Sequence, residues 1–168
     1  MIKKKICMLG AFAVGKTSLV RRFVDSIFSE RYQTTVGVKI DKKSMEIDGR
    51  RIDLIIWDLN GEDEFQSVRT SYLRGSSGCI YVVDGTRSST VETAGSLYGK
   101  TTAAIGRVPA VLVLNKQDLH QQWEVGDRLL APVRQMADAV FYTSARTGQG
   151  VERAFSKLAV MMMENSGQ

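Results

Sequence analysis

Residues 10–18 read GAFAVGKTS, and no other stretch limits the fold as tightly. Gly10, Gly15, Lys16 and Thr17 fill the pattern G-x-x-x-x-G-K-[ST], which works only between a strand and a helix. Both flanks are present. An apolar run at 5–9 precedes the loop, and Leu19, Val20, Phe23 and Val24 follow at helical spacing. In such a loop the backbone N–H groups point at phosphate oxygens and the helix dipole favours the anion. Phe12, Ala13, Val14, Gly15, Lys16, Thr17 and Ser18 are therefore the candidate phosphate-binding residues. Lys16 would bring a point charge to the β- and γ-phosphates, and the Thr17 hydroxyl would bind Mg²⁺.

The rest of the chain agrees with a strand–loop–helix start. Apolar runs of strand length recur at 5–9, 52–57, 79–84, 110–115 and 139–143, mostly separated by stretches of helical period. That alternation predicts an α/β fold: a mostly parallel sheet with helices on both faces. One connection departs from it. Residues 36–47 alternate, and Asp48-Gly49 turns directly into RIDLIIW, which predicts a hairpin and one antiparallel strand at the sheet edge. A helix over about 88–105 carries Gly95 and Gly99, each unfavourable there by about 1 kcal/mol. Val151, Phe155, Leu158 and Met161 to Met163 predict a last helix facing the core.

At 168 residues, 43% hydrophobic and 24% charged, the chain reads as one ordered domain spanning 1–168. The net charge is +5, and the basic residues are scattered, densest at Lys3 to Lys5, Lys39 to Lys43 and Arg50 to Arg51. These read as solvated strand ends and an exposed hairpin, so no nucleic-acid partner is expected. No apolar run approaches the roughly 18 residues of a membrane span. Cys7 and Cys79 sit inside apolar runs and read as buried reduced thiols, which suits the cytoplasm.

A phosphate loop does not say which nucleotide is bound. VLVLNKQD at 111–118 places Asn115, Lys116 and Asp118 just past a buried strand, at the edge where α/β folds bind ligands. A carboxylate at Asp118 can accept both N–H donors of guanine, a pair that adenine lacks. The methylene stem of Lys116 can lie along the base. Taken alone, NKQD also fits a polar loop with Asp118 capping a helix. The later YTSAR at 142–146 and the Trp57 to Gly61 pattern W-D-x-x-G weigh against that.

Together these motifs, in this order and over nearly the whole chain, resemble a Ras-superfamily small GTPase. TTVGVKI, IIWDLNGEDEF and SYLRGSSG are most similar to the Rab branch. The resemblance implies a six-stranded sheet with five helices, GTP or GDP with Mg²⁺, and two switches at about 30–40 and 59–74. Effectors and regulators would meet a monomeric protein through those switches. It implies that Thr35 reaches Mg²⁺ and the γ-phosphate in the GTP state, that Asp58 holds Mg²⁺ through water, and that the Gly61 N–H contacts the γ-phosphate. Metal-binding residues would then be Thr17, Thr35 and Asp58. Phe28 would pack on the guanine edge, Tyr32 would border the nucleotide, and Ser144, Ala145 and Arg146 would form the loop that meets the base oxygen. The catalytic set would be Lys16, Thr35, Gly61 and Glu62.

Two positions depart from the family pattern. Glu62 stands where a glutamine usually orients the attacking water with both a donor and an acceptor. A carboxylate only accepts, and its charge lies near an anionic phosphate, so slow hydrolysis is expected. A general-base role for Glu62 is the competing expectation. Phe12 stands where the family mostly has glycine or a small residue, and a ring there would obstruct an incoming arginine finger. Asp63 and Glu64 read as a solvated, acidic helix start. The C-terminal sequence MMMENSGQ holds no cysteine, so no direct lipid anchor is expected. A rival function of another class is a GTP-locked scaffold that does not cycle. A P-loop kinase is disfavoured, since no acceptor lid with clustered arginines is visible.

Overall fold

The computed structural model describes residues 1–30, 37–59, 61 and 68–166. Every apolar run becomes a strand of one six-stranded sheet. The strands are β1 (Ile2–Gly10), β2 (Val38–Ile47), β3 (Arg50–Leu59), β4 (Gly78–Asp84), β5 (Ala110–Asn115) and β6 (Ala139–Tyr142), in the order β2-β3-β1-β4-β5-β6. Only β2 runs antiparallel to its neighbour, and it lies at the edge. Asp48 (φ 51°) and Gly49 (φ 74°) both adopt positive φ, as the primed type I hairpin turn requires.

One strand far outruns its apolar core. β1 begins at Ile2 and takes in Lys3 to Lys5, because its pairing with β3 continues to Ile2 opposite Ile52. Backbone hydrogen bonding does not stop where side-chain burial stops. The central strands β4 and β5 are buried at every residue, as strands covered on both faces must be.

Four α-helices cover the sheet among the described residues: α1 (Lys16–Asp25), α2 (Ser89–Ile105), α3 (Asp127–Arg134) and α4 (Val151–Asn165). Short 3-10 helices at Thr70–Leu73 and Gln117–Gln122 complete the described helical segments, against the five helices expected. On one face α1 and α4 pack together, with the Phe23 and Phe155 rings stacked at 4.1 Å and 3°. Met162 and Met163 are buried on that face, so the last helix does face the core. On the other face Val91, Ala94 and Leu97 of α2 meet Leu130 and Val133 of α3. Cys7 and Cys79 are register partners on β1 and β4, fully buried and unbridged. Burial pushes both thiols up, Cys79 to about 12, so they stay neutral and unreactive. Among the described residues no helix is long and apolar enough to cross a membrane.

The two glycines of α2 differ in what surrounds them. A methyl group on Gly95 would sit 3.3 Å from Val133 Cγ1 and 3.4 Å from Met136 Cε, so this glycine lets α2 approach α3. A methyl group on Gly99 would meet nothing within 4 Å. Gly99→Ala is therefore expected to stabilise the protein by about 0.8–1 kcal/mol through helix propensity alone. Gly95→Ala should gain less, because its neighbours must move. Urea denaturation of both variants checks the ranking, and a larger gain at Gly95 would contradict the packing described.

Candidate functional site

From β1 the chain passes to β2 and β3 on one side, then crosses to β4 on the other. Such a reversal opens a crevice at the carboxyl ends of the strands, the usual ligand position in open α/β sheets. A cavity of about 370 Å³ lies there. Its lining includes Phe12, Ala13, Gly15, Lys16, Thr17, Ser18, Phe28, Gly61, Asn115, Lys116, Asp118, Ala145 and Arg146, all singled out from the sequence. Val14, Asp58 and Ser144 are buried and do not line it; Asp58 and Ser144 act through Thr17 and Asp118. Tyr32, Thr35 and Glu62 lie outside the described residues.

The loop after β1 has its carbonyls tied backwards. Lys16 Nζ donates to the Gly10 and Ala11 carbonyls at 3.4 and 3.2 Å. Arg87 Nη1 donates to Phe12 O at 2.8 Å, Lys116 Nζ to Ala13 O at 3.1 Å, and Asn115 Nδ2 to Val14 O at 3.0 Å. In a planar trans peptide the next N–H points opposite to the carbonyl. The N–H groups of Ala13, Val14 and Gly15 are thus directed away from these donors. The arrangement needs Ala13 at φ 63° and Gly15 at φ 102°. It also needs Gly15 to be glycine, since a Cβ there would stand 2.4 Å from Asn115 Nδ2.

At the start of α1 the charges are arranged for an anion and a cation together. Lys16 is 6% exposed, and burial pushes its ammonium down to about 8 although Asp58 opposes that. A phosphate beside it would favour the charged form. Thr17 Oγ1 donates to Asp58 Oδ2 at 2.5 Å, while Asp58 Oδ1 is buried with no hydrogen-bond partner. Burial raises the Asp58 carboxyl and the Thr17 hydroxyl lowers it. A hydroxyl and a carboxylate with an orphaned oxygen are hard donors, and they fit Mg²⁺. Among the described residues there is no cluster of three His, Cys, Asp or Glu side chains able to hold a metal. Few protein ligands, with phosphate and water supplying the rest, is how Mg²⁺ usually binds.

The other end of the cleft is held by the loops after β5 and β6. Ser144 Oγ donates to Asp118 Oδ1 at 2.8 Å and accepts from the Thr147 N–H at 3.1 Å. Thr143 Oγ1 donates to Asn115 Oδ1 at 3.1 Å, which orients the amide that holds Val14. Arg22 from α1 donates to the carbonyls of Ala145 (2.7 Å) and Arg146. Arg146 pairs with Glu30 at 3.5 Å, and both line the cleft with the exposed Phe28.

Sequence reading missed Arg22, Asp84, Arg87 and Thr143, and the lining residues Arg21, Ser29, Glu30 and Leu119. One of them carried a signal. Asp84 ends the apolar run of β4 just as Asp58 stands near the end of β3, an aspartate at a strand's carboxyl end.

The sequence model of the Ras family matches residues 5–164. The chain is 36% identical over 168 residues to the Ras-related protein Rab-4 of Dictyostelium discoideum, covering 98% of this chain and 82% of that protein. It is 33% identical to the Ras-related protein Rab-21 of Geodia cydonium, covering 97% and 72%. It is also 33% identical to the Ras-related protein Rab-13 of Mesocricetus auratus, covering 97% and 81%.

Asn115 links β5, the phosphate loop and Thr143, all from the interior. Asn115→Ala leaves the Val14 carbonyl and the Thr143 hydroxyl without their partner, so a loss of about 2–4 kcal/mol is expected. Urea denaturation of the nucleotide-free protein measures this, and a loss below about 1 kcal/mol would refute the tie described.

Proposed function

The chain belongs to the Ras family and is a Rab-like small GTPase, binding GTP and hydrolysing it to GDP; from that premise we propose that residues 1–168 form a single switch domain working through the cleft described above. The observation that carries the reading is the inward-tied run of carbonyls from Gly10 to Val14, which leaves the loop's N–H groups for phosphate.

In this reading Lys16 draws negative charge from the β- and γ-phosphates, and its buried position makes that charge count for more than it would in water. Thr17 and Asp58 hold Mg²⁺, joined by Thr35 in the GTP state; when bound, the ion neutralises charge on the phosphate oxygens. Support comes from the orphaned Asp58 oxygen beside Thr17. Asp118 takes the guanine edge, Phe28 and the stem of Lys116 flank the ring, and the loop of Ser144, Ala145 and Arg146 meets the base oxygen. Tyr32 borders the nucleotide.

Gly61 reports the γ-phosphate to switch II. It is packed so closely on the loop that a Cβ would lie 2.5 Å from Phe12 Cα. Effectors and regulators then read switch I (about 30–40) and switch II (about 59–74) on a monomeric, cytoplasmic protein. Glu62, an acceptor beside the attacking water, slows hydrolysis, and Phe12 narrows the approach for a partner's arginine.

Guanine selection rests on Asp118. Asp118→Asn is expected to weaken GTP binding by about 2–3 kcal/mol and to admit xanthine nucleotides, which carry an acceptor where guanine has an amine. Competition binding with GTP and XTP checks this; unchanged selectivity would remove Asp118 from base recognition.

Single-turnover hydrolysis should run no faster than about 10⁻⁴ s⁻¹, and Glu62→Gln should raise it several-fold. Phe12→Gly alone should leave the intrinsic rate near its starting value. A fall in rate with Glu62→Gln would make Glu62 the water-activating group instead. Chromatography of the nucleotide that co-purifies separates cycling from the scaffold alternative: mostly GDP supports turnover, and mostly GTP supports a locked state.

A further inference from the structure

Arg87 lies on the loop between β4 and α2, outside every motif read from the sequence. Its Nη1 donates to the Phe12 carbonyl at 2.8 Å, and it stands 3.7 Å from Asp84 Oδ2. The same Asp84 oxygen meets Lys116 Nζ at 2.9 Å, and Lys116 donates to the neighbouring Ala13 carbonyl. Asp84 is itself immobilised. It is fully buried, and its Oδ1 accepts from both the N–H and the hydroxyl of Thr86 at 2.9 and 2.7 Å. One buried carboxylate thus aims two cations at two successive carbonyls of the phosphate loop.

We propose that Arg87 is a positioning residue for the terminal phosphate, holding the Phe12–Ala13 peptide so that the Ala13 N–H faces the γ-phosphate end of the cleft. The placement at that end rests on the functional reading above, in which Gly61 meets the γ-phosphate. Gly61 abuts the backbone of Phe12, so this peptide lies where the loop and switch II come together. Ala13 holds φ 63°, a left-handed conformation unfavourable for a residue with a Cβ. Donors on the carbonyls before and within that residue keep both flanking peptides in place. Without Arg87 the peptide ahead of Ala13 can rotate, and its N–H no longer stays fixed on the phosphate side. The guanidinium does not line the cleft, so it acts through the loop.

The experiment measures dissociation of a non-hydrolysable GTP analogue and of GDP from the full chain, with Mg²⁺, for the parent protein, Arg87→Ala and Arg87→Lys. Melting of each nucleotide-free form is recorded beside it. Arg87→Ala is expected to speed loss of the GTP analogue about tenfold, the loss of roughly one charge-assisted hydrogen bond, and loss of GDP by less than about threefold. Arg87→Lys, which keeps a cationic donor, should recover part of the difference. Equal acceleration of both nucleotides together with a lowered melting temperature would overturn the proposal, leaving Arg87 a structural brace. Unchanged dissociation of both would overturn it as well. A parent protein that binds neither nucleotide would instead refute the site reading on which the proposal rests.

Discussion

Everything at this site depends on which way the peptides of one loop point. From Gly10 to Val14 each carbonyl accepts from a side-chain donor, so the N–H of each following residue points the other way. Left to itself a loop of Ala, Phe and Val has no reason to choose that orientation, and Ala13 even opposes it with its positive φ. The choice is imposed by Lys16, Arg87, Lys116 and Asn115. Three of these reach the loop from the carboxyl ends of β4 and β5, which links the phosphate end of the cleft to the base end.

That link gives some residues two duties. Asn115 and Lys116 belong by sequence to base recognition, yet their polar atoms are spent on Val14, Ala13 and Asp84. Both therefore tie the loop after β5 to the loop after β1. Asp118 also lines the cleft, its carboxylate steadied by Ser144. Arg22 does the same for the last loop, carrying the carbonyls of Ala145 and Arg146 on the helix that the phosphate loop begins.

The metal corner is built differently. Here the protein leaves a group unsatisfied: Asp58 Oδ1 is buried with no partner, beside a Thr17 hydroxyl. An unpaired buried carboxylate oxygen is costly, and a cation would relieve it. The corner is thus left with an unmet polar group that a bound cation would satisfy.

The sequence by itself determined the alternation of strands and helices, the antiparallel edge hairpin at Asp48-Gly49, and most of the residues that line the cleft. Each of these is local: side-chain periodicity, turn chemistry or a short motif carries it within a few residues. Only the tertiary structure decided which donors orient the phosphate loop. Arg87 lies 75 residues from Phe12, Lys116 103 from Ala13, and Arg22 123 from Ala145, so no local pattern could pair them. The same holds for the two glycines of α2, identical by propensity but separated by what packs against them. Local chemistry named most of the groups that line the cleft, whereas the aim of those groups came from contacts that exist only once the sheet has brought its strand ends together.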